Sequence, residues 1–128
     1  MRYLISAMFI IVGIIHLLPV SGVLGNRQLE TLYGLSFSDP NLSILMRHRA
    51  VLFGLLGLFL CLAALQPQYQ PIAFIAGFVS VGSFVGLAWS VGDYNAQVAR
   101  VVRADIIALV CLAVGVIGYM YQQSRQIQ

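Results

Sequence analysis

The side chains able to do chemistry in this chain are few, and most fall in short clusters. Arg47, His48 and Arg49 form one cluster, Asp93 and Asn95 a second, and Arg100, Arg103 and Asp105 a third. Glu30 and Asp39 precede them, and His16 stands alone inside an apolar run. Arginine and aspartate in such company can form an ion pair or grip the polar head of a bound molecule. Histidine can relay a proton or touch a ligand, because its ring nitrogens exchange donor and acceptor roles near neutral pH. Glu30, His48 and Asp93 have the residue types of acid–base catalysis, yet no nucleophile-base pair is legible. Metal binding is not expected, since His16 and His48 have no carboxylate or thiolate at ligand spacing. Cys61 and Cys111 sit singly inside apolar blocks and read as small buried hydrophobes. No cofactor is called for.

The elements that must position these residues are set by composition. Of 128 residues, 60% are hydrophobic and only 9% charged, whereas soluble domains are roughly half apolar and a quarter charged. The apolar residues arrive in blocks, at about 3–24, 44–65, 72–91 and 101–121. Each is close to the roughly 20 residues needed to cross a hydrocarbon core about 30 Å thick. The expectation is an all-α fold, a single domain over 1–128 built as an integral membrane bundle of four transmembrane helices, with a lipid bilayer as its surroundings. An even number of spans puts both termini on one side. Lysine is absent, and the arginines are scattered rather than gathered on one face, so no nucleic-acid partner is expected.

Local signals refine the boundaries. Ser38-Asp39-Pro40 offers Asp39 as N-cap and Pro40 at the first helical position, where its missing N–H costs nothing. A helix from Pro40 to Leu65 would be about 39 Å long, more than the hydrocarbon requires, so its first turns stand outside or tilt. In the loop before it, Leu29, Leu32 and Tyr33 suggest a short helix lying on the interface. Arg2, an apolar run and Val20-Ser21-Gly22 outline a cleavable leader, but the run is long for one and His16 and Pro19 are foreign to it, so a true span is expected. Gly82-x-x-x-Gly86, Ala73-x-x-x-Gly77 and Ala104-x-x-x-Ala108 have helix-packing spacing; packing inside the monomer is expected, with a homodimer face as the alternative. Tyr3, Tyr69, Tyr119 and Tyr121 would form one aromatic belt and Tyr33, Phe37, Trp89 and Tyr94 the other. Counting arginines by side favours cytoplasmic loops and external termini.

Depth then singles out residues. Counting roughly 20 residues back from Leu65 and Tyr121 places Arg49 and Asp105 each about 4 to 5 Å inside the same membrane boundary, the best candidate ion pair. Arg47 and Arg103 lie two positions from them, about 200° around their helices, and are expected to snorkel to the headgroups. His16 lies about 20 Å in from Tyr3 and is the deepest ionisable group. Arg49-Ala50 and Arg103-Ala104 open the second and fourth spans in a weak internal echo.

The run Met46-Arg47-His48-Arg49-Ala50-Val51-Leu52-Phe53-Gly54, with Gly92-Asp93-Tyr94-Asn95 and Arg100-Val101-Val102-Arg103-Ala104-Asp105, resembles a group of small bacterial four-helix membrane proteins, broadly DoxX-like. The resemblance covers almost the whole chain and implies a multi-pass protein of the bacterial inner membrane. Members often carry the name phosphopantetheine adenylyltransferase. Such nucleotidyltransferases are soluble α/β enzymes with a phosphate-binding histidine motif at a βα unit, and no such unit is read in this sequence. The expected function is therefore a binding module or accessory subunit for a lipid, quinone or similar amphiphile, more a binder than an enzyme. Its ligand would meet Arg49, Asp105, His16, His48, Glu30, Asp93, Asn95 and Arg103. The alternatives are a small proton-coupled transporter using His16 and Asp105 as a homodimer, and an intramembrane enzyme.

Overall fold

The computed structural model describes residues 1–36 and 38–128, so Phe37 of the expected second aromatic belt lies outside the described residues. Five α-helices follow one another: α1 (Arg2–Leu17), α2 (Asn26–Tyr33), α3 (Pro40–Leu65), α4 (Gln70–Val91) and α5 (Ala96–Ile127). There is no strand among the described residues. Four segments, Arg2–Leu24, Pro40–Leu65, Pro67–Val91 and Ala96–Ile127, are long and apolar enough to cross a bilayer. The protein is an all-α membrane protein.

Each helix boundary has a local cause. α1 gives way at Leu18 to a 3₁₀ segment, Leu18–Leu24. Pro19 explains this, because its ring removes an N–H and collides with the carbonyl four residues back. α2 ends on Gly34, whose φ of 67° is left-handed and whose N–H bonds the Glu30 carbonyl. α3 starts as the sequence predicts, with Asp39 Oδ1 accepting from the Asn41 N–H at 2.9 Å and Pro40 in the first turn. α5 is capped by Asn95, whose Oδ1 accepts from the Val98 N–H at 2.8 Å. It outruns the predicted span at both ends, since neither glycine nor proline follows Tyr121 to stop it.

α1 sits between α3 and α5, while α4 packs on α5 and less extensively on α3. Ile5, Phe9, Val12, Leu60, Val81 and Leu112 are fully buried at the centre, and the Phe9 and Phe74 rings meet with centroids 4.5 Å apart. The outward faces are equally apolar: Leu58, Ile75, Val79 and Ile117 are each more than 60% exposed. So large an apolar surface would drive association in water, and is what a bilayer requires. α1 and α3 approach closely at Gly13 and Gly57, where a Cβ on Gly13 would stand 3.0 Å from the Gly57 carbonyl oxygen. Ala73, Gly77 and Ala108 are buried as the small-residue spacings predict. Gly82 and Gly86 are not packed in this way: a Cβ added at either would meet no other element within 4 Å, so that stripe faces outward from the monomer.

The end of the bundle holding the α1 N-terminus is joined by neutral groups. The last carbonyls of a helix lack intrahelical partners. Here the Gln66 N–H takes the Leu62 carbonyl, Gln70 Nε2 takes that of Ala63 at 3.2 Å, and Ser6 Oγ takes that of Ala64 at 2.7 Å. Met1 lies against Gly118 of α5.

Candidate functional site

Arg49 is the centre of the polar end. Its position on α3 turns it inward, half-buried, while Arg47 and His48 are exposed. The guanidinium carbon lies 4.5 Å from the Phe53 ring centroid, 5.5 Å from Phe84 and 5.6 Å from Tyr33. Phe53 is one helical turn further along α3 and so shares its face; Tyr33 comes from α2 and Phe84 from α4. The three rings surround a cation with their electron-rich faces, an arrangement worth about 0.5–2 kcal/mol per contact depending on desolvation. Arg49 Nη1 also donates to the Tyr33 hydroxyl at 2.7 Å.

Tyr33 is itself tied at two points. Asn95 Nδ2 donates to its carbonyl at 2.7 Å, so the residue that caps α5 also fixes the end of α2. Tyr33 is only 6% exposed, which corrects its expected place in an interfacial belt: the ring points into the protein because Arg49 and its cavity lie there. The other end of α2 is held by the Ser43 hydroxyl donating to the Asn26 side-chain oxygen. α2 is therefore a roof packed on the bundle, with Leu29 buried beneath it.

His16 lies deeper, 3% exposed. Its Nδ1 is 2.9 Å from the Val12 carbonyl oxygen, and a carbonyl only accepts, so Nδ1 carries the proton. In the neutral ring Nε2 then accepts from the Ser80 hydroxyl at 3.1 Å. The His16 ring meets Phe53 edge-on, 5.7 Å between centroids, so Phe53 stands between the histidine and Arg49.

A cavity of about 220 Å³ opens among these groups, with His16, Tyr33, Arg49, Gln97, Arg100 and Asp105 on its wall. Arg49 and Asp105 thus share a cavity, close enough for their charges to interact, though the hydrogen bond found for Arg49 goes to Tyr33. On the other side of Arg49 and Tyr33 lies a groove of about 420 Å³ between α3 and α4, walled mainly by Leu42, Met46, Phe84, Leu87 and Val91. Arg49 and Tyr33 line both spaces.

No family model, curated protein or solved structure matches this chain. What the site can do follows from its own chemistry.

Of the residues the sequence singles out, the structure brings Arg49, Asp105 and His16 to one cavity. Asn95 is half-buried beside it and acts through Tyr33. Glu30, His48, Asp93 and Arg103 are exposed and line neither this cavity nor the groove. Arg47 donates Nε to the Val23 carbonyl at 3.0 Å. Arg49 faces inward and Arg103 outward, so the echo between the second and fourth spans ends at the sequence. Among the described residues no three His, Cys, Asp or Glu side chains gather as a metal site. Sequence reasoning missed Phe53, Phe84, Ser80, Gln97 and the cavity role of Tyr33 and Arg100. Arg49-x-x-x-Phe53 was a legible signal, since residues four apart on a helix are neighbours.

Proposed function

We propose that the protein is a membrane binding module or accessory subunit whose four-helix bundle holds a lipid, quinone or similar amphiphile, rather than an enzyme. The observation that carries this reading is the meeting, at Arg49 and Tyr33, of an apolar groove and a cavity whose wall carries the convergent polar groups His16, Arg49, Arg100 and Asp105. A polar head beside Arg49, Asp105 and His16 and a tail between α3 and α4 would satisfy both spaces. Their volumes, about 220 and 420 Å³, together fall in the roughly 300–1,000 Å³ of small-molecule sites, which combine apolar walls with a few convergent polar groups. Ionisable residues inside a membrane ordinarily face the interior and mark ligand or ion paths.

The same proposal includes membership of the DoxX-like group, residence in the bacterial inner membrane and both termini on one side. Met1 lying against Gly118 supports the last of these. Mass spectrometry of the small molecules that co-purify from native membranes tests the reading. A defined amphiphile is expected with the native chain and is expected to be lost in Asp105→Asn and Arg49→Gln. If both variants keep ligand and detergent stability unchanged, the proposal fails. Proton uptake into proteoliposomes that is abolished by His16→Ala would replace it with a proton-coupled transporter.

A further inference from the structure

We infer that the ligand is a single-chain amphiphile with an anionic head, and that it reaches the site sideways from the bilayer through the gap between α3 and α4. The inference rests on the amphiphile-binding reading above and adds the charge of the head, the number of chains and the route.

Charge comes first. Among the described residues lining the inner cavity, two guanidinium groups, Arg49 and Arg100, face one carboxylate, Asp105. His16 lines the same space with both ring nitrogens already engaged, by the Val12 carbonyl and the Ser80 hydroxyl. The wall therefore carries one positive charge more than it balances. An anionic head can bond the guanidinium N–H groups of both half-buried Arg49 and exposed Arg100 and so balance the excess. A neutral head would leave the excess in place.

The number of chains follows from size. The inner cavity, about 220 Å³, corresponds to about seven waters at roughly 30 Å³ each. That accommodates a carboxylate or a phosphate and the atoms next to it, not a glycerol bearing two acyl chains. Among the described residues the groove that shares Arg49 and Tyr33 with this cavity has a wall that is apolar apart from the Arg49 guanidinium and the tyrosines, and its course between α3 and α4 suits one chain.

The route follows from exposure. Leu87 and Val91 on the groove wall are 65% and 79% exposed, and in the bundle they face lipid. From above, the inner cavity is roofed by α2, which Asn95, Arg49 and Ser43 fasten down. The open side is lateral, and the Arg49 side chain stands where the two spaces meet.

Native mass spectrometry of the full chain in neutral detergent tests this, with oleate, oleoyl lysophosphatidate and oleyl alcohol offered at equal concentration. An anionic probe is expected to be retained about ten-fold more than the alcohol, the worth of one charge-assisted hydrogen bond. Retention by oleate alone identifies a carboxylate head, and by lysophosphatidate alone a phosphate head. Arg100→Gln, an exposed position whose change leaves the core intact, should remove most of that preference even if Arg49→Gln fails to fold. Ala88→Phe, which fills the groove, should lower retention of the anionic probes about ten-fold. Equal retention of alcohol and anions, unaltered in Arg100→Gln, overturns the anionic head but leaves amphiphile binding standing. Undiminished anion retention in Ala88→Phe overturns the lateral route. If no probe is retained, both this inference and the reading beneath it fall.

Discussion

Replacing Gly13 by alanine tests how closely α1 must lie on α3 for His16 to reach its place. A Cβ there would stand 2.6 Å from Cys61 Sγ and 3.0 Å from the Gly57 carbonyl oxygen. Non-bonded heavy atoms prefer about 3.5–4.0 Å, so the overlap on sulfur is about 1 Å. Overpacking of this kind costs about 1–3 kcal/mol. Alanine's better helix propensity returns up to about 1 kcal/mol, leaving a net loss of about 1–2 kcal/mol. Cys61→Ala in the same chain removes the sulfur and leaves only the 3.0 Å approach to Gly57, so it should recover about half of that loss. Gly82→Ala is the control: a Cβ there would meet no other element within 4 Å, so stability should hold or rise slightly. The assay is unfolding by sodium dodecyl sulfate in mixed micelles, followed by far-ultraviolet circular dichroism. Since Gly13 is one turn before His16, separation of the helices should also weaken the His16–Ser80 bond and lower ligand retention. The reasoning is refuted if Gly13→Ala is as stable as Gly82→Ala, or if Cys61→Ala recovers nothing.

Ser80→Ala leaves His16 Nε2 without its hydroxyl partner at 3.1 Å, and should cost about 1–3 kcal/mol in the same unfolding titration, less in Ser80→Thr. Asn95→Asp keeps the cap on Val98 but cannot donate to the Tyr33 carbonyl. It should cost about 1 kcal/mol, against about 2 kcal/mol for Asn95→Ala, which loses both bonds; no loss in Asn95→Asp would show that the tie to Tyr33 contributes nothing. Asp39→Ala removes an exposed N-cap and should lower stability by about 1 kcal/mol without changing ligand retention.

The architecture was legible because hydrocarbon imposes it. Once the apolar blocks and the Asp39-Pro40 start were read, four spans and the beginning of α3 followed, and the helix over Asn26–Tyr33 was visible in its spacing. The inward turn of Arg49 and Asp105 was also readable, because residues two apart stand about 200° around a helix and only one of each pair can face the bundle. What the sequence did not show depends on contacts between distant segments. Tyr33 reads as an interfacial tyrosine in the sequence, and its hydroxyl meets Arg49, 16 positions away, while Asn95, 62 positions away, holds its carbonyl. Ser80 is one of several serines, distinguished by a histidine 64 positions away. The glycines with the conspicuous spacing, Gly82 and Gly86, face outward, while the close crossing falls at Gly13 and Gly57, which belong to different helices and form no motif in either.

The neutral hydrogen bonds that close the carbonyls at the end of α3 have a mechanical consequence. Ser6 and Gln70 fasten α1 and the start of α4 to the same turn of α3, so the bundle behaves like tweezers held at the hinge. The fastening acts at that end alone, and it is the far ends of α3 and α4 that flank the groove. No charge takes part in the fastening, so neither salt nor pH loosens it. Amide exchange within α3 and α4 should accordingly be slowest in their buried turns nearest this end, around Leu60–Ala64 and Ala73–Gly77, and rise toward Arg49 and Trp89 in every buffer.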